Sequence, residues 1–333
     1  MMKNAVPPIS NLPPSEAEEK LFKGSATTKR GGYAAISYMT CAALSSYNFP
    51  SANVVTLLQI ICSCSLLYVM KRRKIINFTI NELSAVSDNT KLLVPSETFM
   101  HTIPISVAYL LYMVSRSAYS PIFSVRGVNV PVYTTLRRTT VVFTMVAEWI
   151  LASQKYTSSV IGSVGLIVLG AFVAGARDLS FDFYGYFVVF LANITTAIYL
   201  ATIACVGKSS GLNSFGLMWC NGFVCGPLLL IWAFLTGDLV LAMRFPYLFS
   251  PGFMVVLFCS CMLAFFLNYS IFLNTTLNSA LTQTIWGNLK DLFPIGLGWM
   301  IFGGLPFVLL NVIGQLLGFI CSGRYASFKL IGK

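Results

Sequence analysis

The sequence predicts an all-α polytopic membrane protein, with about ten transmembrane helices arranged as two inverted five-helix repeats. Three observations indicate this fold class. The chain of 333 residues is 56% apolar and 14% aromatic. Only 10% of its residues are charged, whereas a soluble protein carries about 25%. The apolar residues form continuous runs of about 20, the length that crosses a bilayer as a helix. These features exclude a soluble globule and a disordered chain.

The apolar runs between charges and turn residues predict ten spans. They cover residues 33–49, 52–70, 99–115, 130–151, 157–176, 183–206, 214–236, 250–272, 279–302 and 307–326. The runs lack the alternation of transmembrane β-strands, which favours helices. Because five spans are an odd number, the second half would lie inverted relative to the first, as in many transporters. Each half ends with a small-residue pair, Gly170 with Ala174 and Gly314 with Gly318, which favours helix packing or a homodimer contact.

The basic residues indicate the orientation in the membrane. The net charge is +11, and most cations outside the spans fall on the side of the N-terminal tail. The other side holds only Arg116, Arg126, Arg177 and Arg244. The positive-inside rule therefore predicts that both termini are cytosolic. The predicted organisation is a cytosolic tail over residues 1–32, a first repeat over 33–176 with a short first helix, a second repeat over 177–328, and a cytosolic C-terminus over 329–333.

The residue inventory argues against several other functions. The nine cysteines lie in apolar runs and His101 is the only histidine, so we expect no metal and no cofactor. The chain lacks H-E-x-x-H, D-x-D and G-x-S-x-G motifs, which argues against an intramembrane enzyme. It also shows no signature of a channel filter. The positive charge lies in membrane-flanking loops, which indicates contact with lipid rather than with nucleic acid.

Three cations fall inside predicted spans: Arg137 and Arg138 in the fourth and Lys290 in the ninth. A charge at bilayer depth costs at least about 2.5 kcal/mol, so such residues normally face a bundle interior or an aqueous cavity. The fourth and ninth spans correspond if the halves are inverted repeats. We therefore expect the cations to converge on an anion. Guanidinium grips phosphate oxygens bidentately and lysine acts as a point charge, which favours a phosphorylated organic substrate.

Polar and aromatic side chains cluster in the same spans and extend the candidate site. Amides can read the edge of a base, and aromatic rings can stack on a base or a sugar. For each residue taken alone, a hydrogen bond between helices is the alternative role. The candidates are Tyr133, Thr134, Asn193, Tyr199, Trp219, Asn221, Asn268, Asn278, Ser279 and Thr282.

Four stretches resemble the nucleotide-sugar transporters of the drug/metabolite transporter superfamily, and in particular the UDP-sugar branch. They are YTTLRRTTVVFTM, GAFVAGARDLSFDFYGY, NSALTQTIWGNLKDL and NVIGQLLGF. The runs RRTTVVFTMVAEWIL and GKSSGLNSFGLMWCNG are most similar to the plant Golgi UDP-N-acetylglucosamine transporter type. The resemblance covers nearly the whole chain, from about Tyr33 to Lys333.

This resemblance implies two inverted repeats, residence in the Golgi or endoplasmic reticulum membrane, and exchange of a cytosolic UDP-sugar for lumenal UMP. It implies that Gly287 and Lys290 lie near phosphate and sugar, because they match the G-A-L-N-K stretch of related GDP-sugar transporters. It likewise places Asn221 near the nucleobase, because Asn221 matches the F-Y-N-N stretch. Lys290, Arg137 and Arg138 would then hold the diphosphate.

The first predicted span has about 17 residues, or about 25 Å as a helix, which is short for a membrane crossing. The sequence therefore leaves two alternatives to UDP-sugar transport. One is a transport-incompetent variant with a scaffold or regulatory role. The other is an exchanger of another phosphorylated metabolite, such as a sugar phosphate.

Overall fold

The computed structural model describes Phe49 and residues 51–78, 94–126, 136–175 and 183–290. These ranges are helical, as the sequence predicts. The helices are α1 Ala52–Arg72, α2 Ser96–Arg126, α3 Thr140–Ala152, α4 Ser158–Gly175, α5 Phe183–Ser209, α6 Ser214–Leu235, α7 Asp238–Met243, α8 Pro251–Leu277 and α9 Ala280–Lys290.

The helices follow the predicted spans with three differences. The helix α2 runs to Arg126, well beyond the end of the predicted third span at residue 115. The predicted fourth span is interrupted by a turn at Thr139, so that α3 begins only at Thr140. The short helix α7 was not predicted and joins α6 to α8. The predicted first span, apart from its last residue Phe49, and the predicted tenth span with Gly314 and Gly318 lie outside the described residues. The count of ten spans and the division into two repeats therefore stay predictions.

Five helical segments within the described ranges are long and apolar enough to cross a membrane. They are Ala52–Arg72, Ser96–Ser115, Tyr186–Ser209, Ser214–Leu235 and Pro251–Leu277. Their outward faces expose large apolar side chains such as Val69, Phe234, Leu235 and Phe258. Such a surface is unfavourable in water and is stable against lipid tails.

The helices pack as one interlocked bundle rather than as two separate halves. The helix α5 contacts both α2 and α3, and α9 contacts α3 and α8. The helix α1 contacts α6 and α8. Gly222 makes the approach of α1 to α6 close, because a Cβ atom at this position would lie 2.5 Å from the Sγ atom of Cys64. Small residues at such crossings allow membrane helices to approach closely.

The two ends of the bundle differ in charge. We call the end where α1, α3 and α5 finish the basic end, because it carries Lys71, Arg72, Arg73, Lys74, Lys155 and Lys208. There the N–H of Asn213 donates to the carbonyl oxygen of Phe78 at 2.8 Å. At the opposite end, the Nδ2 atom of Asn53 donates to Oδ2 of Asp238 at 2.7 Å. These hydrogen bonds join chain segments that are distant in sequence.

A cluster of buried apolar side chains fills the half of the bundle nearer the basic end, and we call it the basal cluster. It includes a stacked pair, Phe215 on α6 and Tyr269 on α8, whose ring centroids are 4.2 Å apart. The burial of this cluster closes the bundle on its basic side. Its buried members include Leu67, Phe78, Ile105, Tyr199, Leu200, Ile203, Leu217, Trp219, Phe265, Tyr269 and Phe272.

Candidate functional site

A cavity of about 520 Å³ lies between α1, α2, α5, α8 and α9, beside the turn that precedes α3. This volume is within the range of about 300–1,000 Å³ that small-molecule sites have. Tyr199 and Leu200 belong both to its wall and to the basal cluster, so the cluster bounds the cavity on the basic side. The wall is rich in hydrogen-bonding groups: Thr56, Gln59, Tyr109, Tyr112, Arg137, Thr140, Thr196, Ser260, Asn268, Gln283, Thr284 and Asn288.

Four of the residues predicted from the sequence line this cavity. They are Arg137, Tyr199 on α5, Asn268 on α8 and Gly287 on α9. Arg137 brings a guanidinium to a cavity that otherwise presents hydroxyl, amide and aromatic groups. Such a wall can bind a ligand that combines an anionic part with a planar or polar part.

The backbone around Arg137 is held by hydrogen bonds that replace the interrupted helix. The hydroxyl of Thr139 donates to the carbonyl oxygen of Leu136 at 2.6 Å. The hydroxyl of Thr140 donates to the carbonyl oxygen of Arg137 at 2.5 Å. These bonds give partners to carbonyl groups at a point where the regular helical hydrogen bonds are interrupted. Buried backbone groups need such partners in low-dielectric surroundings.

Asn193 supports the same turn from α5. Its Nδ2 atom donates to the carbonyl oxygen of Leu136 at 2.9 Å and to Oγ1 of Thr139 at 3.2 Å. Asn193 is only 4% exposed. From the other side, Nδ2 of Asn288 donates to the carbonyl oxygen of Arg138 at 3.4 Å. For Asn193 the geometry therefore favours the interhelical hydrogen bond that the sequence left as an alternative.

Three tyrosines form an aromatic wall between α2 and α5. The ring centroids of Tyr109 and Tyr199 are 5.3 Å apart, and those of Tyr109 and Tyr112 are 6.2 Å apart. Tyr112 and Tyr199 stack at 5.9 Å. Tyr109 is tilted against both other rings. The near-parallel rings of Tyr112 and Tyr199 offer an aromatic surface with polar edges, which suits a base or a sugar ring.

Three further predicted residues, Asn278, Ser279 and Thr282, lie at the junction of α8 and α9 and outside the lining of the cavity. The Oγ atom of Ser279 accepts from the N–H of Thr282 at 3.1 Å, which caps the start of α9. Asn278 donates to Oδ1 of Asn274 at 2.7 Å. In turn Asn274 donates to Oε1 of Gln283 at 2.6 Å. The junction is thus linked to the cavity through Gln283.

Trp219 and Asn221 on α6 also lie away from the cavity lining. Trp219 is 7% exposed and packs in the basal cluster, with its ring near those of Tyr68 and Phe78. The Oδ1 atom of Asn221 accepts from the Sγ atom of Cys225 at 3.5 Å within the same helix. In this conformation these two residues contribute to helix packing beside the site.

Comparisons with known proteins give close matches. The chain is 62% identical, over the full length of both proteins, to the UDP-N-acetylglucosamine transporter UGNT1 of Arabidopsis thaliana. It is 32% identical to the nucleotide sugar transporter SLC35D2 of Mus musculus, with 87% of this chain and 83% of the mouse protein covered. It is 32% identical to the UDP-galactose/UDP-glucose transporter 7 of Arabidopsis thaliana over 64% of this chain and 65% of that protein. No family model matches the chain.

The chain belongs to the nucleotide-sugar transporter family. Its close relatives are named as transporters rather than as enzymes. The apolar helices agree with a multi-pass membrane protein. The alignment with the Arabidopsis transporter UGNT1 extends over 351 positions, against 333 residues in this chain. The relative therefore contains residues that have no counterpart here.

Some predicted site residues of this nucleotide-sugar transporter have no described position. Tyr133 and Thr134 lie outside the described residues. For Lys290, the last residue of α9, the described structure covers the backbone only. Arg138 is described and 7% exposed, and it is not among the residues that line the cavity.

Sequence reasoning missed several residues around the cavity. Tyr109, Tyr112 and Gln59 line it, and nothing in their spacing distinguishes them from packing residues. Glu148, an acidic residue inside the fourth predicted span, was also not among the candidates. In the structure Glu148 is fully buried and accepts hydrogen bonds from α9. The available signal was that an acidic residue inside a predicted span normally needs partners.

Proposed function

We propose that this nucleotide-sugar transporter carries UDP-N-acetylglucosamine from the cytosol into the Golgi lumen in exchange for UMP. The observation that carries the proposal is a cavity of suitable volume, bounded by Arg137 and by an aromatic wall. Full-length similarity to the UDP-N-acetylglucosamine transporter UGNT1 of Arabidopsis thaliana supports the choice of sugar nucleotide. The choice of the Golgi membrane rests on the resemblance described in the sequence analysis.

In the proposed binding mode, the diphosphate lies against Arg137. Its guanidinium can donate two parallel hydrogen bonds to phosphate oxygens. The resemblance of the G-N-L-K stretch to family members suggests Lys290 as a second cation. Arg138, the neighbour of Arg137 in the sequence, adds a further positive charge. Tyr133 and Thr134, which the sequence predicts as further substrate contacts, lie outside the described residues.

Uracil and sugar would occupy the part of the cavity away from Arg137. Tyr112 and Tyr199 offer the stacking surface, and Asn268, Gln283 and Asn288 offer amides that both donate and accept. The amides can therefore pair with the edge of the base or with sugar hydroxyls. Trp219 shares the basal cluster with Tyr199. Trp219 and Asn221 do not line the cavity and would act on the site through helix packing.

Transport by this route requires alternating access. The basal cluster bounds the cavity toward the basic end, and the positive-inside rule assigns that end, together with both termini, to the cytosol. The cluster must then separate to admit a cytosolic sugar nucleotide. A homodimer through the helices with Gly170 and Ala174 or with Gly314 and Gly318 would leave this mechanism intact, since each subunit holds its own cavity.

The deciding experiment uses purified protein in proteoliposomes preloaded with UMP. Labelled UDP-N-acetylglucosamine should accumulate inside, and empty vesicles should accumulate little. A panel of UDP, GDP and CMP sugars then defines specificity. Lys290→Ala should abolish uptake, whereas Arg244→Gln, an exposed change at the opposite end, should leave it near the parent level. Uptake that does not depend on internal UMP would contradict the exchange mechanism.

A second candidate function is favoured by the short first span. A first span of about 17 residues is short for a helix that crosses a membrane. A transport-incompetent scaffold or regulatory protein would show no uptake with any nucleotide sugar. It would also show no gain after the first span is extended to about 20 residues.

Inhibition of uptake by hexose phosphate but not by UMP would instead indicate an exchanger of sugar phosphates.

A further inference from the structure

Glu148 on α3 makes a buried contact with the start of α9. The side chain is 0% exposed. One carboxylate oxygen, Oε1, accepts from the N–H of Ala280 at 3.1 Å, and the other, Oε2, accepts from the N–H of Leu281 at 3.0 Å. Tyr156, in the turn after α3, donates its hydroxyl to Oε2 at 2.8 Å. Both oxygens therefore have donors within the bundle.

The contact of Glu148 can fix the position of the N-terminal end of α9. The first N–H groups of a helix have no partner within the helix, and a negative charge is favourable beside them. Glu148 supplies acceptors for two of these groups at once. Because α9 carries Gln283, Gly287 and Asn288 on the cavity wall, the position of its first turn affects the position of these groups.

The contact also joins parts of the chain that the sequence assigns to different repeats. The helix α3 belongs to the predicted first repeat and α9 to the second. Glu148 lies near the C-terminal end of α3, and α3 ends at the basic end. The contact thus lies on the same side of the cavity as the basal cluster.

The next turn of the same interface continues the contact. The hydroxyl of Thr284 on α9 lies 3.0 Å from Oγ1 of Thr144 on α3, and both residues are buried. Around these hydroxyls, Val141, Leu281 and Ile285 form a small apolar cluster. Polar groups enclosed by apolar side chains in this way favour one geometry of the two helices.

We propose that Glu148 is a positioning residue that acts as a latch between the repeats. Its hydrogen bonds to Ala280 and Leu281 hold α3 and α9 together in the conformation that is closed at the basic end, and they break when the cavity opens there. This inference rests on the alternating-access exchange proposed above. Glu148 itself does not line the cavity, so the latch acts on the access equilibrium and not by touching the substrate.

A cross-link between α3 and α9 tests whether the two helices separate. Cysteines replace Thr144 and Thr284 together in a variant whose native cysteines are changed to alanine or serine. Oxidation should join the helices and reduce UDP-N-acetylglucosamine exchange by at least about tenfold, and reduction should restore it. The control is oxidation of the single variants Thr144→Cys and Thr284→Cys, which should not change the exchange rate that each variant shows before oxidation. If the cross-linked protein exchanges as fast as the same protein after its disulfide is broken, the latch is overturned.

Labelling of a single cysteine tests whether Glu148 maintains the closed state. In sealed microsomes whose outer face is cytosolic, an impermeant maleimide should modify Thr144→Cys slowly, since this position is buried. Adding Glu148→Gln keeps the size of the side chain but leaves only one oxygen to accept hydrogen bonds. Labelling should then rise about tenfold, as expected for the loss of a charge-assisted hydrogen bond. Glu148→Asp should give an intermediate rate and Arg244→Gln the parent rate.

The two proposals fail in different ways. If the parent protein shows no exchange but Glu148→Gln accelerates labelling, the latch stands and the proposed transport function is wrong. If the parent protein exchanges nucleotide sugar and Glu148→Gln leaves labelling unchanged, the latch is wrong and the proposed transport function stands. Should Glu148→Gln not fold, the cross-link still decides, because it leaves Glu148 in place.

Discussion

The rings of Tyr112 on α2 and Tyr199 on α5 lie nearly parallel, with an interplanar angle of 9° and centroids 5.9 Å apart. Both rings line the cavity. Tyr199 also belongs to the basal cluster. The pair therefore connects the packing of two membrane helices with the surface that a substrate would contact.

Replacing Tyr112 with leucine should weaken the apparent affinity for the sugar nucleotide by about threefold to tenfold, because an aromatic contact contributes about 0.5–1.5 kcal/mol beyond its buried area. The measurement is the concentration dependence of UDP-N-acetylglucosamine uptake. Tyr112→Phe keeps the ring and should stay within about twofold of the parent if stacking is the important contact. If Tyr112→Phe loses more affinity for the sugar nucleotide than Tyr112→Leu does, Tyr112 does not contribute through stacking.

Arg137→Gln should reduce affinity for the sugar nucleotide by about tenfold to a hundredfold. A hydrogen bond to a charged group contributes about 1.5–3 kcal/mol, and each 1.4 kcal/mol changes affinity by about tenfold. Arg137→Lys keeps the charge but loses the two-pronged geometry, and it should fall between the parent and Arg137→Gln. Nucleotide-dependent thermal stabilisation of the detergent-purified protein measures this effect independently of transport. Equal stabilisation in the parent and in Arg137→Gln would refute a phosphate-binding function for Arg137.

Asn193→Ala should lower the stability of the protein by about 0.5–1.5 kcal/mol, the net contribution of a hydrogen bond, because the carbonyl oxygen of Leu136 still accepts from the N–H and the hydroxyl of Thr139. It should also weaken substrate affinity, since these groups hold the turn that carries Arg137. Thermal unfolding monitored by size-exclusion chromatography reports the first effect. Thr202→Ala, which removes a hydroxyl bonded within its own helix, is the control and should change little.

Gly222→Ala should destabilise the protein by about 1–3 kcal/mol through overpacking, because the added methyl would meet the Sγ atom of Cys64 at 2.5 Å. Adding Cys64→Ala removes that sulfur and should recover most of the loss. Gly226→Ala is a matched control on the same helix, since its Cβ atom would lie 3.7 Å from the nearest atom, on Ile60. If Cys64→Ala gives no recovery, the close approach of α1 and α6 is not the cause.

The sequence predicted the helical class and most helix boundaries in the described ranges because membrane helices follow one strong rule, that about 20 consecutive apolar residues are required. The run 52–70 became α1 Ala52–Arg72, and the run 214–236 became α6 Ser214–Leu235. It did not predict the interruption at Thr139. Arg137, Arg138, Thr139 and Thr140 are more polar than the apolar run that follows, but polar residues inside a span do not by themselves show where a helix breaks. The turn is held by Asn193, which is distant in the chain.

The sequence by itself determined that this protein is a membrane transporter with cations in its spans, because the cost of charge in lipid makes such residues conspicuous in any linear pattern. Only the tertiary structure decided what the polar residues do. It placed Arg137, Tyr199, Asn268 and Gly287 on one cavity, and it assigned Asn193 and Glu148 to contacts between helices. The physical reason is that a hydrogen bond needs two partners at a set distance and angle, and the second partner is fixed by how the helices pack.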